Sequence, residues 1–396
     1  MMTKLLLALT FTSFVYGQSL ETLLENAKRQ NLLLSESKDT IMIREEEVEL
    51  ADIWENPSLT LGANDLLVDD ITSRDREPMQ THFVILSQKI PTAGKNDLRK
   101  SMAKVERDIS DAAYAQMLAK ILSRLSGFGY KVAIIDKKLA LIEKYQRNVA
   151  RVKNLQTKRF AVGMSIQSSI VKSKILAKKL LIKKRKLLTM KKAFLYKIET
   201  LSFQKVASVK VPLLMDKRVE IDLSNHPIMI ASTLRVQKAK EEIKLQRSSK
   251  IPDVKLGVGY FQRVDRSDYL AFNVGFSLPI RGKEERKIKI ALLKESQAKT
   301  VLKSKAFILQ REVDTLKELM EDSLENYRII KKEILPKQRY IHKLLEKEIF
   351  SKNTSATALL TNLNERIILE LEAYDEMDSY FEAYAKLVYF EGGLSL

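Results

Sequence analysis

The sequence predicts a mainly α protein with a small β part, built from one unit used twice. Composition is the first observation. The 396 residues are 30% charged and 45% hydrophobic, with only 12 Gly and 8 Pro, and so few breakers among so many Lys, Glu, Leu and Ala point to long helices. The second is a recurring turn: Gln88-Lys-Ile-Pro91-Thr-Ala-Gly94-Lys95 returns 188 residues later as Phe276-Ser-Leu-Pro279-Ile-Arg-Gly282-Lys283. The third is the order of the flanking landmarks. Pro57-Ser-Leu-Thr-Leu-Gly matches Pro252-Asp-Val-Lys-Leu-Gly upstream, and Phe160-Ala-Val-Gly163-Met164-Ser165 matches Phe350-Ser-Lys-Asn353-Thr354-Ser355 downstream. Length alone suggests two or three domains. The repeat argues for one elongated body of two fused halves, each reading helix, strand, strand, long helix, tight turn, long helix.

Residues 1–17 read as a secretory signal peptide. Lys4 supplies the positive start, Leu5 to Val15 a short apolar core, and Val15-Tyr16-Gly17 the cleavage site, so the mature chain begins at Gln18. The chain has no Cys, which excludes disulfides, thiolate metal sites and a lipid-modified cysteine. A secreted chain of this kind is held by packing or assembly.

The first repeat spans 18–210, with strands at about 57–68 and 79–91. The second spans 211–396, with strands at about 252–262 and 268–280. Leu270, Phe272, Val274, Phe276 and Leu278 alternate with Ala271, Asn273, Gly275 and Ser277. Val254, Leu256, Val258 and Tyr260 alternate with Lys255, Gly257 and Gly259. This period of two, apolar against small or polar, is that of a transmembrane barrel strand. A soluble sheet with one face on a core fits the pattern too. In the first repeat Leu59, Leu61 and Ala63 share a face, while Phe83 to Leu86 is a continuous apolar run. No later segment has the apolar length of a membrane-spanning helix, so only a closed barrel could cross a bilayer. Four strands are too few to close one, the smallest having about eight. Several chains must then contribute. The links, Asp65 to Pro78 and Gln262 to Ser267, are polar, as external loops should be. Trp54, the only Trp, is either an interface anchor or a packing residue.

Each strand pair is followed by a helical hairpin, at about 93–200 with its tip near 163 and at about 282–392 with its tip near 353. Leu309, Val313, Leu316, Met320, Ser323, Tyr327, Ile330 and Ile334 form an a/d seam. At 1.5 Å per residue the stretch from Glu284 to Phe350 is roughly 100 Å long. Pro336 should kink it, and Gly127 and Gly129 should weaken its counterpart. Gly163 and Asn353 suit the left-handed turn that ends a helix. Ser165, Thr354 and Ser355 can cap the helices that follow.

At this point the chain resembles the TolC-type outer-membrane efflux proteins. The likeness covers nearly the whole mature sequence. It rests on the duplication, the strand-opening Pro57 and Pro252, the strand exits at Pro91, Gly94, Pro279 and Gly282, the turn near Gly163, and the closing helix from Leu371 to Gly393. The resemblance implies a homotrimer, in which an α-helical barrel in the periplasm continues a shared 12-stranded β-barrel in the outer membrane. It implies hairpin tips, Gly163, Met164, Ser165, Asn353, Thr354 and Ser355, that gate the duct. The tips would meet a periplasmic adaptor (membrane fusion) protein carried by an inner-membrane transporter. Some members place acidic residues just after the second tip. Here the corresponding positions are Leu359 and Asn362, so a constriction there would close by apolar contact and amide hydrogen bonds. A type I protein-secretion role is implied as readily as efflux. From another class, a periplasmic coiled-coil adaptor shares helical hairpins but needs Gly-rich lipoyl-like domains that this sequence lacks.

The net charge is +19, and Lys172 to Lys197 holds eleven basic and no acidic residues. A secreted chain rarely meets nucleic acid, and aromatics for stacking are sparse there, so no nucleic-acid partner is expected. Asn362 to Glu391 holds eight acidic and two basic residues. The two limbs are expected to lie close and help set partner register. His82, His226 and His342 lack metal-ligand companions at helical spacing, and no nucleophile elbow, phosphate loop or zinc signature occurs. No enzyme activity, cofactor or metal site is expected.

Overall fold

The computed structural model describes residues 18–73, 75–163, 167–217, 219–264, 266–350 and 356–391. The predicted signal peptide lies outside them. In chain order the elements are β1 (Gln18–Ser19), α1 (Leu20–Gln30), α2 (Leu32–Leu50), β2 (Ser58–Asn64), β3 (Thr81–Ile90), α3 (Lys95–Ala161), α4 (Gln167–Ser202), β4 (Val209–Lys210), α5 (Pro227–Ser248), β5 (Val254–Gln262), β6 (Tyr269–Phe276), α6 (Lys283–Arg328), α7 (Leu335–Phe350) and α8 (Ala356–Phe390). A π-helical turn at Ile329–Ile334 joins α6 to α7. Two compact units emerge, one of Met1–Ser35, Gln116–His226 and Ile308–Leu396, the other of Glu36–Ala115 and Pro227–Phe307.

The first unit is helical, with the two-residue strands β1 and β4 paired in parallel. Ser19 caps α1 by accepting the Thr22 N–H at 3.1 Å. Its core joins α1, α3, α4 and α8 through Leu23, Leu125, Val132, Ile198, Phe381 and Val388. There Tyr130 stacks on Phe381 with ring centroids 4.3 Å apart. A second cluster, with Ile142, Tyr145, Leu180, Leu187, Leu363 and Ile367, continues the same packing. Gly127 and Gly129 do not interrupt α3. A Cβ on Gly129 would stand 2.9 Å from Leu20 Cδ1, and one on Gly127 3.4 Å from Ala385 Cβ. Their missing side chains give α1 and α8 room to approach, which offsets the helix-propensity cost.

The α6 seam is buried at Leu309, Val313, Leu316 and Ser323, and Met320 and Tyr327 pack against the core. Past Tyr327 the expected register fails by one residue. The π-helical turn inserts a residue, Leu335 N–H reaches back to the Ile330 carbonyl, and Leu335 rather than Ile334 is fully buried. Proline at 336 cannot donate to the helix ladder, and a π-bulge is one way a helix absorbs that loss.

The second unit carries a four-stranded antiparallel sheet in the order β2-β3-β5-β6. The outer pairs are the hairpins of the two repeats. The middle pair joins the repeats, from His82↔Gln262 to Ile90↔Val254. Among the described residues one edge of β2 and one of β6 have no strand partner. Among the described residues no helix is long and apolar enough to cross a membrane.

Candidate functional site

The sheet sorts its side chains by chemistry. Strand register sets Leu59 beside Leu86, Leu61 beside Val84, Leu86 beside Val258, and Val258 beside Phe272. Leu256, Tyr260, Leu270, Val274 and Phe276 complete this face, and every one of these side chains is exposed, Phe272 at 78% and Val274 at 67%. No described residue of the unit covers them. The apolar run Phe83 to Leu86 splits accordingly, with Val84 and Leu86 on this face and Phe83 and Ile85 on the other.

The opposite face is small and polar, with Ser58, Ser87, Gly257 and Asn273 in one transverse row. Toward the loops it bears an aromatic row, Phe83, Phe261 and Tyr269. Phe83 and Phe261 lie 5.5 Å apart and Phe261 stacks on Tyr269 at 4.8 Å. The rings lie over glycines: a Cβ on Gly62 would run into the Phe83 ring, and one on Gly259 would stand 2.8 Å from that of Phe261. Aromatic cover of glycine pins strand register. The Arg263 guanidinium lies 4.6 Å from the Tyr269 ring centroid. In the loop that follows, Asp268 accepts the Arg263 N–H at 2.9 Å. Trp54, just before β2, is half exposed.

Both strand exits turn through left-handed glycine, Gly94 at φ +64° and Gly282 at φ +66°. Pro91 and Pro279 open these turns, and each glycine carbonyl accepts the first helical N–H, from Leu98 and Arg286. The surroundings differ. At the first exit Lys95 is buried and its Nζ lies 2.6 Å from Asp253 Oδ1 and 2.5 Å from the Ile251 carbonyl. Thr92 adds its N–H to Asp253 and its hydroxyl to the Pro252 carbonyl. Burial alone would raise the Asp253 pKa. The Lys95 and Thr92 hydrogen bonds and the charges of Lys95 and Lys89 outweigh it and hold the carboxyl below its ordinary value. At the second exit Lys283 is exposed, and no described residue pairs with it.

At the first hairpin tip Gly163 takes φ +72°, its N–H reaches the Phe160 carbonyl at 3.0 Å, and no atom lies within 4 Å of where a Cβ would stand. Met164 and Ser165 lie outside the described residues, as do Asn353, Thr354 and Ser355. Just beyond the tips Ser169 and Thr357 share a hydroxyl hydrogen bond of 2.9 Å, which ties the start of α4 to that of α8. A groove of about 280 Å³ runs beside it, lined by Lys172, Ile175, Lys179, Leu360 and Asn364. Leu359 and Asn362 are both buried. Asn362 Nδ2 donates to Gln338 Oε1 at 2.6 Å, its Oδ1 lies 3.2 Å from His342 Nδ1, and His342 Nε2 lies 3.4 Å from Glu346. Asn362 thus bonds toward α7, and neither side chain is presented to open space.

The charged limbs meet largely through a third helix. Basic α4 reaches α3 at Lys184–Glu143 and Lys191–Asp136. Acidic α8 reaches α3 at Lys131–Asp378, Lys131–Glu382 and Lys138–Asp375. Hydrogen bonds from Lys131 and Lys386 draw Glu382 down to about 2. No α4–α8 ion pair occurs among the described residues; beyond the Ser169–Thr357 hydrogen bond they meet in the apolar cluster around Leu180 and Leu363. The limbs do lie close within the chain, but their charges are answered on α3, which carries both signs. Nor do the described residues gather three His, Asp or Glu side chains into a group able to hold a metal.

No protein-family model and no curated protein matches the sequence. Solved structures do match the fold. A membrane protein from Pseudomonas aeruginosa superposes with a TM-score of 0.82 at 14% identity, over 98% of this chain and 95% of that one. CusC, studied for transmembrane channel formation, gives 0.80 at 12% identity, over 93% and 90%. The MtrE outer-membrane channel of Neisseria gonorrhoeae, in its open state, gives 0.77 at 15%, over 94% and 88%. The chain has the fold of outer-membrane channels, as the resemblance implied.

Proposed function

We propose that this chain is the outer-membrane exit duct of a tripartite efflux pump. Three copies close a 12-stranded barrel in the outer membrane, and their helices continue the duct into the periplasm. The observation that carries the reading is the four-stranded sheet, with an exposed apolar face crossing all its strands and an unpaired strand edge at each end among the described residues. Lipid accepts such a face but no open edge. A face of this extent and two open edges in water would be an aggregation hazard. The half-exposed Trp54 suits the interface at the foot of the barrel.

The duct supplies passage and no catalysis, and the inner-membrane transporter supplies energy. The tips at Gly163, Met164, Ser165, Asn353, Thr354 and Ser355 meet the periplasmic adaptor, with the groove between α4 and α8 beside them. Leu359 and Asn362 form the constriction. Because Asn362 bonds to Gln338 on α7, a gate built on it opens by parting α7 from α8, which breaks that hydrogen bond. Unboiled detergent extracts of outer membranes should give a trimer-sized band, and the purified protein should form conducting pores in planar bilayers. A monomer soluble without detergent, or bilayers that stay silent, would sink the reading. Deletion should sensitise cells to the exported solutes, drugs or metal ions.

A further inference from the structure

Among the described residues the sheet contains one strand seam between repeats, and the strand-exit and strand-opening motifs carry its register onto the missing one. In the seam present, the second strand of the first copy pairs with the first strand of the second copy, from His82↔Gln262 to Ile90↔Val254. The unpaired edges are the same two kinds of strand, β6 as a second strand and β2 as a first strand. The exit motif carries Ile90 onto Leu278 and Gln88 onto Phe276. The opening prolines carry Val254 onto Leu59 and Leu256 onto Leu61.

We infer that β6 of one copy, extended through Leu278, pairs antiparallel with β2 of the next in a defined register, with Leu278 opposite Leu59, Phe276 opposite Leu61, Ser277 opposite Thr60 and Gly275 opposite Gly62. This deepens the shared-barrel reading and rests on it. An independent feature agrees with the register. It sets Phe276 and Leu278 against Leu59 and Leu61 on the exposed apolar face, and Gly275 and Ser277 against Gly62 and Thr60 on the small polar face. A slip of one residue would turn every side chain of one strand to the wrong face.

The same mapping says what the second seam lacks. Lys95 maps onto Lys283, Asp253 onto Ser58 and Thr92 onto Ile280. The buried Lys95–Asp253 pair at 2.6 Å therefore has no counterpart between copies, where Lys283 comes opposite a serine. The seam inside the chain carries the ionic clasp, and the seam between chains is closed by the strand ladder and side-chain packing alone.

The chain has no cysteine, so one introduced pair reports one contact. Directly opposed strand residues stand about 4.5–5.5 Å apart at Cα and diagonal ones about 7–8 Å, while a disulfide needs about 4.4–6.8 Å. Within one chain β2 and β6 are three strand spacings apart, about 14 Å, so any bond formed joins two copies. T60C/S277C in outer membranes should oxidise to covalently linked dimers and trimers. S58C/S277C and N64C/G275C, which report a two-residue slip in either direction, should link about tenfold less. Linking through a slipped pair would overturn the register while the shared barrel stands. Failure of all three pairs in folded, membrane-inserted protein would overturn the shared barrel as well. As a second readout, S58D should install the clasp and raise the temperature at which trimers dissociate. S58D/K283A should dissociate as the parent does. An S58D effect that survives K283A would overturn the assignment of Lys283 to Ser58.

Discussion

The two strand exits share a proline and a left-handed glycine and end in different chemistry. At Pro91–Lys95 the lysine is buried and paired with Asp253, 158 residues away in sequence. At Pro279–Lys283 the lysine stands in solvent. Both turns keep the left-handed glycine and the same helix start, because backbone geometry demands them in any copy. The charged partner is free to diverge, since it depends on what lies across the seam. Inside one chain the partner is always present, so a carboxylate and a buried lysine can evolve together. The difference teaches that duplication preserves what a turn needs locally and releases what a junction needs from its neighbour.

Removing the clasp should give the largest effect. D253A leaves Lys95 buried without its carboxylate, a cost of about 3–5 kcal/mol, whereas K283A at the other exit should stay within about 0.5 kcal/mol. Thermal unfolding in detergent, followed by circular dichroism, measures both. Equal effects would break the contrast between the two exits. Next come charges on the exposed apolar face. V84K in the first hairpin and F272K in the second should each cost about 2–4 kcal/mol near the bilayer midplane and reduce the amount of membrane-inserted trimer. Here the repeats should behave alike. A tolerated lysine at only one of the sites would mean that only one hairpin faces lipid.

Much of this was legible in the sequence, and the exceptions share a cause. Leu270 to Leu278 read cleanly because one face meets no protein and the other admits only small side chains. Phe83 to Leu86 read poorly because the aromatic row places a large apolar residue on the second face too. The a/d seam of α6 was readable to Tyr327. Beyond it the π-helical turn shifted the phase, and Pro336 alone does not say whether a helix kinks or inserts a residue. Gly127 and Gly129 read as weak points because propensity is local, while their use against Ala385 and Leu20 is tertiary. The paired strands β1 and β4, two residues each, leave no periodic signal. The Lys95–Asp253 clasp and the burial of Leu359 and Asn362 depend on residues distant in sequence, which no spacing rule brings together.

The long helices give a smaller contrast of the same kind. Gly129 in α3 packs against Leu20, while Lys317, its counterpart 188 residues on, is exposed in α6. G129V should overpack the site and cost about 1–3 kcal/mol. K317V should change thermal stability by about 0.5 kcal/mol or less. A harmless G129V would mean that α1 can retreat, and that the glycine is not set by close approach.

The smallest effect separates the two residues that open the repeats' first strand-feeding helices. Asn31 and His226 correspond, since each stands immediately before its helix and the opening prolines share the same 195-residue offset. Both are buried. Asn31 accepts the Leu33 N–H at 2.9 Å and donates to the Leu201 carbonyl at 2.8 Å, a set of contacts indifferent to pH. His226 lies against Tyr389 and Phe390, with ring centroids 5.0 and 5.6 Å away. Burial lowers its pKa, and a backbone hydrogen bond with Tyr389 only partly offsets this. The folded chain therefore takes up a proton on this imidazole less readily than the unfolded chain, which protonates it near its ordinary value of 6.5. Below that pH the unfolded state binds the extra proton and stability falls, by at most about 1.4 kcal/mol per pH unit; above it this contribution is flat. Thermal midpoints from pH 8 to pH 5 should decline below about 6.5 in the parent, and the decline should be shallower in H226N, which installs the first repeat's residue. Parallel declines in the two proteins would assign the acid sensitivity to other groups, the Lys131–Glu382 pair being excluded because a carboxylate held near 2 loses its contribution only at more acidic pH.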